Sequence, residues 1–143
     1  MSTLKRAIEI AEAAHAGTND KGGNLYIAHP MRVMNAVDME EEKIVAILHD
    51  VVEDTDWTLE KLRKEGFSET VLAAIDSVTN RKKQGETYDE FVKRAASNPI
   101  GRKVKLADLR DNSDISRIAK PTPEDYKRIE KYRNAIKTID DMD

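Results

Sequence analysis

The sequence predicts an all-α domain, and three observations carry that expectation. Apolar residues recur at helical spacing over nearly the whole chain, and no stretch alternates convincingly with the two-residue period of a strand. Ser, Thr and Pro stand at positions where helices begin. The chain has 143 residues and shows no repeat, low-complexity tract or linker. That length suits a single compact domain over residues 1–143, able to bury about 70% of its unfolded surface.

The elements follow in order. Leu4, Ile8, Ala11 and His15 form one stripe of a first helix that starts after Thr3. Residues 16–25, AGTNDKGGNL, carry three glycines and read as a loop. A second helix opens at His29-Pro30, because a proline in the first turn costs no hydrogen bond. The spacing of Ile44, Ile47, Leu48 and Val51 predicts one helix from Glu40 to Glu53. Thr58 starts a short helix that Gly66 ends, and Ser68 caps the next, with Val71, Leu72, Ile75 and Val78 turned inward. NRKKQGE (80–86) reads as a solvated basic loop. Thr87 and Glu90 form a capping-box pattern for a helix reaching Ala96. After Pro99 a helix spans Ile100 to Ser113, and Thr122-Pro123 opens a last one that runs to Ile139.

Composition narrows the function. There are no cysteines, so disulfides and thiolate metal sites are excluded. No run approaches the roughly 18 apolar residues of a membrane span, and the N-terminus carries Glu9 and Glu12 where a signal peptide would be apolar. A soluble, cytoplasmic protein is expected. The net charge of −3, from 24 basic and 27 acidic residues, argues against sequence-blind binding of a nucleic-acid polymer. A small phosphorylated ligand needs only a few local cations.

The stretch LHDVVEDT (48–55) concentrates chemistry. On a helix Asp50 and Glu53 are three apart, while His49 and Glu53, and Asp50 and Asp54, are four apart. Carboxylates and an imidazole so converge beside an apolar face. Stripped of water they are costly, and a divalent cation offsets that cost. The alternative is a solvated acidic patch at a helix C-terminus, a place the helix dipole makes unfavourable for negative charge. Further ligands must come from elsewhere. His29, before Pro30 at a helix start, reads either as a helix cap or staple or as a ligand held rigid by the proline. His15 lies on the apolar stripe of the first helix and reads as a packing histidine. Asp108, in VKLADLRDN (104–112), shares a face with Asn112, and Lys105 precedes it by three. Tyr26, Tyr88 and Trp57 read as packing residues, although either tyrosine could touch a base or ribose.

These residues reproduce the H…HD…D pattern, and the chain resembles the HD-domain metal-dependent phosphohydrolases. Within them it is similar to the small RelA/SpoT-type alarmone hydrolases. The stretches that carry the likeness are AAHAG (13–17), YIAHP (26–30), LHDVVEDTDWT (48–58), VT (78–79) and VKLAD (104–108) with Asn112. The resemblance implies a helical HD-domain bundle in which His29, His49, Asp50 and Asp108 bind one cation, usually Mn2+. It implies that Glu53 and Asp54 position or activate the attacking water, and that Asn112 lies near metal and ribose. RIEKY (128–132) is similar to a segment whose Arg and Tyr contact substrate, here Arg128 and Tyr132. Lys21, Lys105 and Arg128 are the candidate cations for a polyanionic nucleotide.

Two positions depart from the family. Asp20 stands where a loop arginine packs on the nucleobase, and Leu109 follows Asp108 where a basic residue is usual. The expected activity is removal of the 3′-pyrophosphate from guanosine or adenosine alarmones, without synthesis, since no synthetase domain follows. The alternatives are an HD-domain phosphohydrolase of the 5′-nucleotidase type and a non-catalytic nucleotide sensor.

Overall fold

The computed structural model describes residues 3–17 and 27–142, without the side chain of Arg117. Among these residues the chain is helical, with no strand. The helices are α1 (Leu4–Ala14), α2 (Ala28–Asn35), α3 (Glu40–Leu48), α4 (Val51–Asp54), α5 (Leu59–Lys64), α6 (Glu69–Ser77), α7 (Tyr88–Ala96), α8 (Pro99–Asn112) and α9 (Pro123–Asp140).

Local chemistry sets most of their starts. The side chains of Thr3, Thr58, Ser68, Thr87 and Thr122 each accept a backbone N–H from the first turn of the helix that follows. Each such cap stabilises by about 1 kcal/mol. At α7 the box is reciprocal: Glu90 N–H donates to Thr87 Oγ1 at 3.1 Å, and Thr87 N–H donates to Glu90 Oε1 at 2.9 Å. Asn98 caps α8, with Pro99 as its first residue. Glu42 is buried at the start of α3, where it accepts the Met39 N–H at 3.1 Å and pairs with Lys103 of α8 at 2.9 Å.

Two apolar clusters form. The larger joins α1, α2, α3 and α6 through residues such as Ile10, Val33, Val45, Ile47, Leu72 and Ile75. The smaller joins α7 and α9 through Val92, Ala96, Ala135 and Ile139. Helix α8 stands between them, giving Val104 and Ala107 to the first and Leu109 to the second. Its stripe of Lys105, Asp108 and Asn112 is left for the seam. Gly101 permits the close approach of α8 to α6, because a Cβ there would lie 2.1 Å from Ser77 Oγ and 3.1 Å from the Ala95 carbonyl oxygen.

Two sequence expectations need correction. The helix expected from Glu40 to Glu53 is two helices, α3 ending at Leu48 and α4 beginning at Val51. The cause is His49: its Nδ1–H donates to the Ala46 carbonyl at 2.5 Å and its own N–H reaches the same oxygen at 3.4 Å. A continuous helix would offer that carbonyl to the Asp50 N–H, so side chain competes with backbone and the helix breaks. Glu53 and Asp54 therefore lie in the first turn of α4. They are also its last two residues, and a helix of one turn has too small a dipole for the argument made for a helix C-terminus to weigh much.

The loop NRKKQGE is not simply solvated. It contains a 3₁₀ turn, Lys82–Gln84, closed by Gly85 at φ +88°, a left-handed conformation that favours glycine. Arg94 of α7 anchors it with a two-pronged contact to Glu86, at 2.7 and 2.9 Å, and with bonds of 2.7 Å to the carbonyls of Asp76 and Thr79.

Candidate metal centre and cleft

Where the seam opens, a cleft of about 550 Å³ is lined by α2, the α3–α4 break, α7, α8, α9 and the 78–80 turn. At its floor four donor atoms from three places in the sequence meet. His29 Nε2 lies 2.9 Å from Asp108 Oδ1. His49 Nε2 lies 3.3 Å from the same oxygen and 3.1 Å from Asp50 Oδ2. The two imidazoles are edge to face, with ring centroids 5.3 Å apart. His29, His49 and Asp108 are buried, and Asp50 is half-buried.

This arrangement fits a divalent cation on two grounds. The first is spacing. Cations that hold N and O ligands at roughly 2.0–2.2 Å set neighbouring donors about 3 Å apart at right angles, and the observed separations are 2.9 to 3.3 Å. The second is the tautomer of each histidine. His49 Nδ1 is held by the Ala46 carbonyl at 2.5 Å, and His29 Nδ1 by Asp111 Oδ2 at 2.6 Å. Both Nδ1 atoms act as donors, so Nε2 of each ring faces the centre and becomes a ligand when a cation takes the place of its proton, the orientation metal-ligating histidines take. Arg32 in turn holds Asp111, Nε to Oδ1, at 2.8 Å.

The electrostatics agree. Burial alone would push the Asp108 carboxyl up, but Lys105 and the two histidines hold it well below the usual carboxylate range. Burial opposes charge on His49, yet Asp50 and Asp108 outweigh it and push the imidazole well above its ordinary value. The cluster thus attracts positive charge. His29, His49 and Asp50 form one group of possible ligands, and Asp50, Glu53 and Asp54 an adjoining one.

The remaining sequence candidates divide. Glu53 opens to the cleft, and its Oε1 accepts the Asn80 N–H at 2.7 Å. Desolvation by the cleft walls, with Asp50 and Asp54 adding, pushes its carboxyl up. Asn112 donates from Nδ2 to Asp108 Oδ1 at 3.1 Å. Lys105 is buried, 3.2 Å from Asp108 Oδ2. Arg128, paired with Asp125 one turn earlier, and Tyr132 line the opposite wall. His15 is buried at the C-terminus of α1, as its apolar stripe predicts. Lys21, Asp20 and Tyr26 lie outside the described residues.

Sequence reading missed Asp111 and Asn80. Asp111 carried a signal, since a carboxylate three residues past Asp108 can reach a second ligand. Asn80 contributes a backbone N–H, which no residue type announces. No helix among the described residues is long and apolar enough to cross a membrane.

Comparison with known proteins places this geometry. The chain is 33% identical over 150 residues to a "Probable GTP pyrophosphokinase" of Mycobacterium leprae (strain TN), covering 97% of this chain and 18% of that protein. It is 34% identical over 142 residues to a "Guanosine-3′,5′-bis(diphosphate) 3′-pyrophosphohydrolase" of Aquifex aeolicus (strain VF5), covering 86% and 20%. The chain thus spans about a fifth of the length of these relatives. A solved structure described as "A metazoan ortholog of SpoT hydrolyzes ppGpp and plays a role in starvation responses" superposes with a TM-score of 0.77 at 25% identity, over 99% of this chain and 85% of that one. Residues 7–113, which contain all four converging donors, match the family described as HD domain, and the chain belongs to that family.

Proposed function

We propose that the protein is a metal-dependent phosphohydrolase that removes the 3′-pyrophosphate from guanosine or adenosine alarmone nucleotides such as ppGpp, with Mn2+ as its cation. The observation that carries this reading is the meeting of His29, His49, Asp50 and Asp108 donors beside Glu53 and Asp54 in one cleft. Hydrolases acting on ppGpp among the similar proteins support it. Other relatives are named for pyrophosphokinase activity. A pure binder has no need of Glu53 and Asp54 beside a cation, which favours an enzyme.

His29, His49, Asp50 and Asp108 would hold the cation, which when bound supplies a water of lowered pKa and offsets phosphate charge. Glu53 is the general base. Its raised pKa makes it a stronger proton acceptor than an ordinary glutamate, and the Asn80 N–H holds one of its oxygens, leaving the other to take the proton. Asp54 orients that water. The water oxygen bonds to phosphorus, its proton passes to Glu53, the bond from phosphorus to the ribose 3′ oxygen breaks, and pyrophosphate leaves as the ribose oxygen takes a proton. Lys105, Arg128 and Lys21 offset substrate charge, and Asn112 and Tyr132 contact the sugar side.

The test is direct. The pure protein is incubated with manganese and a panel of guanosine and adenosine 3′-pyrophosphates and ordinary nucleotides, and the products are identified. Release of pyrophosphate from the 3′ position is expected. Release of 5′ phosphate, or tight binding without turnover under any divalent metal, would refute the reading.

A further inference from the structure

The wall of the cleft facing the donors holds two polar groups for which the described residues supply neither a hydrogen-bond acceptor nor a carboxylate. The Tyr88 hydroxyl, at the start of α7, is buried and meets no hydrogen-bond partner among the described residues. Burial, with Tyr132 and the Asp108 carboxylate nearby, pushes its pKa up, so it remains a donor at neutral pH. Lys131 of α9 rests its ammonium 3.9 Å from the centroid of the Tyr88 ring. Among the described residues no carboxylate pairs with it.

Lys105 links these groups to the metal centre. Its Nζ is 3.2 Å from Asp108 Oδ2, 4.5 Å from the Phe91 ring centroid and 5.9 Å from that of Tyr88. Two ammonium groups, Lys105 and Lys131, thus flank the Tyr88 ring, and all three residues line the cleft that holds Asp108. The Tyr88 ring packs edge to face on Phe91, which accounts for the ring and leaves its hydroxyl unaccounted for. A buried hydroxyl with no acceptor costs stability, and such groups in native proteins call for a specific reason. An ammonium placed over the same ring selects an anion over a neutral acceptor.

We propose that Tyr88 and Lys131 form a subsite for the second phosphate of a pyrophosphoryl group whose first phosphate lies at Lys105 and the donor cluster. The cleft thereby distinguishes a pyrophosphate from a single phosphate. The identity of the substrate rests on the function proposed above, but the subsite is open to test with inorganic anions alone.

The experiment is calorimetric titration of the full manganese-loaded chain with inorganic pyrophosphate and with orthophosphate, for the wild type, Tyr88→Phe and Lys131→Met, with a thermal midpoint for each. Tyr88→Phe is expected to weaken pyrophosphate about tenfold, the loss of one hydrogen bond to a charged acceptor, and to leave orthophosphate within about twofold. Its midpoint stays level or rises, because an unsatisfied hydroxyl has been removed; a merely structural hydroxyl would lower it. Lys131→Met is expected to weaken pyrophosphate several-fold, less at high salt. Equal affinity of wild type and Tyr88→Phe for pyrophosphate, equal weakening of both anions, or no pyrophosphate binding by the wild type would overturn the proposal. A wild type that prefers pyrophosphate through Tyr88 but leaves nucleoside 3′-pyrophosphates intact would refute the hydrolase reading while sustaining the subsite.

Discussion

The two walls of the cleft are built on different terms. On the wall from α2, the α3–α4 break and α8, polar atoms are braced before any ligand arrives: His29 by Asp111, Asp111 by Arg32, His49 by a backbone carbonyl, Asp108 by Lys105 and Asn112. On the wall from α7 and α9, Tyr88 keeps a buried hydroxyl that meets no acceptor among the described residues, and Lys131 rests on an aromatic face. The contrast assigns labour. A cation demands fixed donors, which the hydrogen bonds of the first wall would provide, whereas a phosphate would bring its own acceptors to the second.

The sharpest way to break this contrast is to remove a donor from the braced wall. Asp50→Ala is expected to abolish manganese binding and turnover together, read by calorimetry and by product release. Next is Glu53→Ala, which should keep the cation and the fold but lower kcat by roughly 10²–10⁴-fold. Full-speed turnover in that variant would remove Glu53 from the role of base. The brace itself is tested by Asp111→Ala, which frees His29 Nδ1 and should weaken manganese binding roughly 10–100-fold without removing a ligand. An unchanged affinity would mean that the His29 tautomer is fixed by other means.

The smallest effect lies in the loop that aims Asn80 at Glu53. Arg94 holds the Glu86 carboxyl below the ordinary carboxylate range, the largest cause being their direct hydrogen bonds. A depressed carboxyl pKa adds stability that is complete above the unfolded value near pH 4.3 and is lost as pH falls through the folded value. Arg94→Met should therefore destabilise by about 2 kcal/mol at neutral pH, and the gap to wild type should narrow below about pH 4. Denaturant melts across that range check it.

How much of this the sequence carried depends on which atoms do the work. Helix starts at Thr3, Thr58, Ser68, Thr87 and Thr122 were legible because a cap is a side-chain property at a fixed offset. The inward faces at Ile44, Ile47, Val71, Leu72 and Ile75 were legible from spacing. The break at His49 was not, because Val51 and Val52 continue the apolar rhythm while a side-chain hydrogen bond to Ala46 interrupts the helix. The motif pointed to His29, His49, Asp50 and Asp108, and the fold brings their donor atoms together. The Asn80 contact could not be read, since it is made by backbone, and the 80–86 loop looked like loose charge because Arg94, its anchor, lies on the next helix.

The account rests on four donors sharing one ion, and anomalous diffraction from crystals grown with manganese measures that directly. The account predicts one strong manganese peak within bonding distance of His29 Nε2, His49 Nε2, Asp50 and Asp108. An empty position there, with those side chains turned away from one another, would contradict it.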